Sequence, residues 1–229
     1  MSMICSIMQP SYLPWAGFFN LISRSDIFVF LDDAQFQKNS WHNRNRILLN
    51  GSPHWISVPV KQGKLANKIN ETNIVETQPW RKKHSRQLQQ TYNKHPFAKD
   101  IFGLSVILEE EPESSLAELN IHLITHLLKI LKISTPVVFS SQMGITGERT
   151  TRLIDLLEEL NADTYLSPIG AMEYLEKDNF STRTTINLEY QKFEPAVYSQ
   201  FKNDGFVSHL SIVDVIANLG LESSSKYIL

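Results

Sequence analysis

Three features of the sequence predict an α/β fold with a mostly parallel sheet, flanking helices and a helical insertion or cap. Short apolar runs such as residues 27–31 stop abruptly at polar clusters, as buried strands do at their ends. Runs of this kind alternate with helical periodicity near the start of the chain and again over residues 135–170, giving β-loop-α-β units. Between these units, residues 80–132 carry three successive helical patterns, expected as a cap or as cover for one sheet face within a single domain of residues 1–229.

Taken in order, residues 3–8 are the expected first strand, followed by the turn Gln9-Pro10-Ser11-Tyr12-Leu13-Pro14. Gly17 permits close backbone approach before Phe18, Phe19, Leu21 and Ile22 form the apolar face of a short helix. Residues 28–31 then return parallel to the first strand, a crossover that favours the right-handed arrangement. Residues 46–49 and 55–59 read as two short strands around Asn50-Gly51-Ser52-Pro53. Lys61-Gln62-Gly63-Lys64 is expected as a loop tip, and residues 68–76 as a further extended segment.

The first helix of the expected insertion begins at Trp80, with Leu88 and Tyr92 on one face and Lys82, Lys83 and Arg86 on a polar one. Residues 97–110 and 115–132 follow, the latter turning Leu116, Leu119, Leu123, Leu127, Ile130 and Leu131 inward. A strand at 135–139, a helix from about Gly147 with Leu153, Leu156, Leu157 and Leu160 buried, and a strand at 164–166 make the second unit. A helix containing Met172, Tyr174 and Leu175, an alternating strand-like stretch at 184–193, and a helix at 211–219 capped by Ser211 complete the chain.

At 229 residues and 42% hydrophobic content the chain can bury a substantial core. A formal net charge of −2 offers no global attraction to nucleic acid, which leaves stacking of RNA on the 36–46 segment as a minor reading. The lone Cys5 cannot close an intramolecular disulfide and reads as core filler, consistent with a cytoplasmic protein. The opening MSMICSIMQP lacks a basic leader, and no long uncharged apolar stretch follows, so neither a signal peptide nor a membrane span is expected.

The candidate site follows from where α/β sheets place their polar segments, beyond the carboxyl ends of the strands. Asp32 and Asp33 end the second apolar run, and Lys38, Arg44 and Arg46 bring positive charge around Phe36 and Trp41. Carboxylates can hold hydroxyls or amines, whereas guanidinium groups grip phosphate or carboxylate through two parallel bonds. Gln9 and Tyr12 in the first turn, Ser167 in the turn Ser167-Pro168-Ile169-Gly170, and Arg152 join Asp32, Lys38, Trp41, Arg44 and Arg46 as the substrate-binding set. Glu148 lies in the turn Thr146-Gly147-Glu148-Arg149 that opens a helix, shares a helix face with Arg152, and is the candidate for proton transfer. Asp33 would orient the acceptor with Asp32, and His42 is an optional base. The expectation is that these four segments surround one site. The plainer alternatives are a turn-capping Asp pair, solvated loop charges and a Glu148 that serves only the helix dipole.

Other patterns assign less. The histidines, seven in all, are scattered, and although His122 and His126 share a helix face, the intervening LIT lacks the Glu of an HExxH motif, so no metal site is assigned. His209, Ser211 and Asp214 are hydrolase residue types without a GxSxG elbow. GxGxxG and GxxxxGK[ST] are both missing, which argues against a standard dinucleotide or P-loop site and leaves the cofactor unassigned.

Gln9-Pro10-Ser11-Tyr12-Leu13-Pro14-Trp15-Ala16-Gly17 and Lys38-Asn39-Ser40-Trp41-His42-Asn43-Arg44-Asn45-Arg46-Ile47 resemble the WbqC-like protein family. The resemblance continues through Thr146-Gly147-Glu148-Arg149, LNADTYLSPIG at 160–170 and His209-Leu210-Ser211-Ile212-Val213-Asp214, and so spans nearly the whole chain. It implies a cytosolic step in surface-polysaccharide or O-antigen synthesis, acting on an activated or amino sugar. The expected function is a group-transfer enzyme that modifies an activated or nucleotide-linked sugar, with an acyl or aminoacyl donor and other polysaccharide-pathway proteins as partners. The alternative is a noncatalytic sugar-nucleotide-binding or scaffold protein of the same pathway. A remoter similarity is to nucleotidyltransferases of the pantothenate-synthetase type, whose histidine-rich turn holds phosphates; the comparable turn here, residues 12–17, contains no histidine, which tells against adenylyl transfer.

Overall fold

In the computed structural model, which describes residues 2–61, 67–110 and 115–229, side-chain alternation along the strands separates two layers of helices. Strand β1 (Ile4–Met8) pairs with β2 (Ile27–Phe30), and a hairpin of β3 (Arg44–Leu49) and β4 (Ser52–Ser57) stands apart from their sheet. Strands β5 (Val137–Phe139), β6 (Thr164–Ser167) and β7 (Asn187–Tyr190) complete a five-stranded sheet of order β5-β2-β1-β6-β7, in which every pairing is parallel. The sheet is thus fully parallel, and the antiparallel pairing is confined to the hairpin.

Strand residues two apart share a face. Cys5, Ile7, Val29 and Val138 turn to one side, where they meet helices α5 (Arg149–Glu159), α6 (Met172–Lys177) and α7 (Phe180–Arg183) through Leu153, Leu156, Leu157, Leu175 and Phe180. Phe28, Phe30, Val137 and Phe139 turn to the other, against α1 (Ala16–Ser23), α4 (Leu116–Ile130) and α8 (Ile212–Ile228). Helices α2 (Trp80–Tyr92) and α3 (Phe102–Glu110) add Trp80, Leu88, Leu104 and Leu108 to that same core. The helices over 80–130 therefore share one apolar cluster with the sheet. The α4 start is fixed by a capping box, in which the Ser115 hydroxyl accepts from the Glu118 N–H and the Glu118 carboxylate accepts from the Ser115 N–H.

Some boundaries differ from those expected. Asn50 and Gly51, with φ of 51° and 75°, form a two-residue turn, so Ser52 and Pro53 belong to β4 and pair with Leu49 and Leu48. The last helix does not stop at Leu219: it kinks at Gly220, whose φ of 77° excludes a regular turn, and then continues to Ile228. Packing explains the glycine, because a Cβ there would come within 2.7 Å of the Phe97 ring. Of the loop tip Lys61-Gln62-Gly63-Lys64, residues 62–64 lie outside the described residues. Among the described residues, no helix is long and apolar enough to cross a membrane.

Candidate functional site

The chain leaves β1 toward β2 on one side, whereas β6 is followed by β7 on the other, so the strand order reverses between β1 and β6. Connections that diverge in this way open a crevice at the carboxyl ends of the two strands. A cavity of about 580 Å³ lies there, lined by Met8 and Gln9 after β1, by Pro168, Ile169 and Gly170 after β6, and by Gln191 after β7. Trp15, Trp41, Tyr174 and Phe193 supply aromatic surface to its wall, and Gln37, Ser40, His42 and His209 add polar groups.

Buried amides hold the walls together. The Tyr12 N–H donates to the Trp41 carbonyl at 3.0 Å, and the Asn45 side-chain amide donates to the Tyr12 and Leu13 carbonyls at 3.1 and 2.7 Å. From α4, Asn120, fully buried, donates to the Pro10 carbonyl at 3.1 Å and the His42 carbonyl at 2.7 Å. The turn after β1 and the polar segment after β2 therefore meet. Trp15 lies over Gly17, where an added Cβ would approach the indole to 2.2 Å, and its ring packs between Phe193 at 5.6 Å and His209 at 4.7 Å. Gly17→Ala is expected to push the indole out of the cavity wall and to lower stability by about 1–3 kcal/mol. Trp fluorescence and urea unfolding would register both effects; an unmoved emission spectrum would contradict the packing argument.

Among the described residues, none of those lining the cavity is Asp, Glu, Lys or Arg. Its titratable groups of interest are two imidazoles. His42 is buried, and desolvation lowers its pKa to about 4, so it is neutral at pH 7. Its Nδ1 accepts from the Gln37 N–H at 3.2 Å, which puts the ring proton on Nε2 and makes His42 a hydrogen-bond donor. His209 is exposed at the rim, in the left-handed region at φ 57°, with Nδ1 2.9 Å from the Ser208 hydroxyl. Partial burial, with the Arg46 charge nearby, lowers its pKa below the ordinary histidine value.

The family model of the WbqC-like protein family matches residues 9–226. The chain belongs to this family. An uncharacterized protein of Mycobacterium tuberculosis, Rv1507c, is 33% identical over 222 residues, which is 95% of this chain and 94% of that protein. No solved structure gives a significant match. The matched span of the WbqC-like chain includes every cavity-lining residue except Ile7 and Met8.

Of the candidate catalytic and substrate-binding residues chosen from sequence in this WbqC-like chain, Gln9, Trp41 and His42 line the cavity. Tyr12 does not, since it is fully buried with its hydroxyl 2.8 Å from His84 Nδ1. Asp32 and Asp33 line a separate depression beside Lys68, Glu118 and His122. There Asp32 accepts from the Ser140 hydroxyl and from the N–H and hydroxyl of Ser141, at 3.1, 3.0 and 2.6 Å. Asp33 accepts from the Ser140 hydroxyl and the Arg152 guanidinium, both at 2.6 Å. Burial alone would raise the Asp33 pKa, but the bonds from Arg152 and Ser140 and the charges of Arg152 and Lys68 together hold it below the usual carboxylate range. Arg152 is thereby tied to Asp33 and to the Ile145 carbonyl, not to Glu148.

Glu148 is the N-cap of α5, exposed and without a side-chain capping bond, and is absent from the cavity lining. Arg44 stacks on Trp55 at 4.2 Å, and Arg46 donates to the Ser208 and His209 carbonyls at 3.4 and 3.3 Å. Lys38 is exposed and Ser167 fully buried, its hydroxyl on the Pro168 carbonyl. Gln191 escaped the sequence reading although it directly follows β7, the same strand-end position that marked Gln9; its amide donates to the Gly17 carbonyl and Asn20 Oδ1, both at 2.7 Å. Phe193 and Tyr174 carried no comparable signal.

Proposed function

We propose that this protein is a transferase that moves an acyl-type group onto a hydroxyl or amine of an activated sugar seated in the cavity between β1 and β6. The observation that carries this reading is the cavity wall itself, aromatic faces interleaved with uncharged hydrogen-bonding side chains at the strand-order reversal. Sugar rings present C–H faces that stack on indoles such as Trp15 and Trp41, and hydroxyls that pair with amides such as Gln9 and Gln37. The place of the reaction in surface-polysaccharide synthesis is what the WbqC-like resemblance implies, and an acyl or aminoacyl thioester or phosphate is the donor class.

In this reading His209 Nε2 takes the proton of the acceptor hydroxyl or amine as its oxygen or nitrogen bonds to the acyl carbon. The bond from that carbon to its carrier breaks, and the carrier leaves with the electron pair. The Nε2–H of His42 donates to the acyl oxygen as negative charge builds on it. Lowered pKa values favour both roles, keeping one imidazole unprotonated as a base and the other neutral as a donor. This reading assigns no chemical role to Asp33 or Glu148, neither of which lines the cavity.

Mass spectrometry of products from a panel of nucleotide sugars and acyl donors tests the reading, with wild type expected to form an acylated sugar. Binding of a sugar without conversion of any donor would leave a noncatalytic binding protein. Failure of wild type to bind any of the sugars would remove both.

A further inference from the structure

We infer that the groove between β4 and α2 binds the nucleoside diphosphate portion of the activated sugar whose sugar end occupies the cavity. This deepens the transferase reading and rests on it for the sugar end only. The groove encloses about 820 Å³ and is lined by His54 and Trp55 from β4 and by Lys82, Lys83 and Arg86 from α2, with no Asp or Glu in the lining among the described residues. Lys83 and Arg86 lie one turn apart, as do Lys82 and Arg86, so all three cations face the same depression.

Their placement is unfavourable without an anion. Lys82 and Lys83 stand in the first turn of α2, where unpaired N–H groups already concentrate positive charge, and that turn contains no acidic residue. Their neighbour Arg81 is satisfied by Glu76 at 2.9 Å, whereas Lys82, Lys83 and Arg86 form no ion pair among the described residues. A bound diphosphate would neutralise this concentration of like charge.

Continuity with the cavity selects the occupant. Trp41 belongs to the cavity wall and Trp55 to the groove wall, and their rings pack 5.3 Å apart. Trp55 is 42% exposed, with the Arg44 guanidinium over it. A ligand with a neutral end in the cavity crosses one pair of indoles to reach the cations. A nucleoside-diphosphate sugar has this division of charge, and its base has an aromatic face for Trp55. A nucleic-acid strand has phosphates throughout and would leave the uncharged cavity unused.

Calorimetric titration of the full chain with inorganic pyrophosphate, UDP, GDP and dTDP tests the assignment. At least one nucleoside diphosphate should bind more tightly than pyrophosphate, weaken as salt is raised, and lose about tenfold or more of its affinity in the Lys82→Ala/Arg86→Ala double variant. Trp55→Ala should weaken the nucleotide but leave pyrophosphate affinity unchanged, a contrast that an unfolded variant would not produce. If the double variant melts early, Arg86→Gln alone is read in its place, with a smaller loss of the same kind. No binding of any probe by wild type, unchanged affinity in both charge variants, or a single-stranded oligonucleotide displacing the nucleotide from the groove would overturn the inference. Transfer to a sugar without a nucleotide, with no UDP, GDP or dTDP bound, would remove the groove and leave the transferase standing. Nucleotide binding lost in the double variant, with no turnover in any sample, would do the reverse.

Discussion

His209→Asn is expected to lower the transfer rate by about 100- to 10,000-fold, the usual contribution of a positioned general base. Asparagine is the informative replacement because residue 209 has φ 57°, a conformation that asparagine tolerates and alanine resists. The loss should appear in kcat more than in KM, since the imidazole stands at the rim while the proposed reading leaves binding of the sugar to the amides and indoles of the wall. In wild type, kcat/KM should rise with pH along an acid limb displaced below the ordinary histidine pKa of 6.5, because partial burial and the Arg46 charge both disfavour the imidazolium. A variant with an unchanged rate, or a wild-type profile flat across the acid range, would remove His209 as the base.

The second large effect is on stability in mild acid. Burial lowers His42 and His84 from 6.5 to about 4, so the unfolded chain takes up both protons before the folded chain does. Their contribution is complete above pH 6.5 and is lost as the pH falls toward 4. Each amounts to on the order of 3 kcal/mol, against roughly 5–15 kcal/mol for a typical domain. Asp214 works in the opposite sense: burial raises its pKa despite bonds from Tyr198, Tyr92, Gln200 and Asn218, so its folded form gains as the pH falls and offsets part of the loss. Urea unfolding at pH 7 and pH 4.5 should show a steep decline in wild type and a shallower one in His84→Gln. Equal stability at the two pH values would refute the histidine account.

The sheet was legible because its signals are local. Cys5, Ile7, Phe28 and Val29 declare strands through their neighbours, and Gln9 and the Ser167 turn mark where strands end. Whether a strand-end polar residue meets ligand or protein is decided by distant segments. Asp33 looks like a ligand group until Ser140 and Arg152, 107 and 119 residues later, fold onto it, and Tyr12 until His84 arrives from 72 residues away. His209 shows the converse. Its neighbour Ser211 reads as a helix cap and does cap α8 through the Val213 N–H, but nothing local shows that Asp214 accepts from Tyr92 and Tyr198 or that the imidazole turns to Trp15. Arg44 and Arg46 were read for their charge, whereas the hairpin lays them against indoles and carbonyls.

A single amide on α4 grips the Pro10 and His42 carbonyls at once, and among the described residues no other polar contact of that side chain competes with them. The turn after β1 and the loop carrying His42 are consequently one mechanical unit despite being separate in sequence. Perturbations on the two sides are thermodynamically coupled: in a double-mutant cycle, substitutions at Gln9 and Trp41 should deviate from additivity by about 0.5–3 kcal/mol while Asn120 is present and by less in Asn120→Ala, where the Tyr12 N–H bond to the Trp41 carbonyl and the Asn45 amide still join the loops.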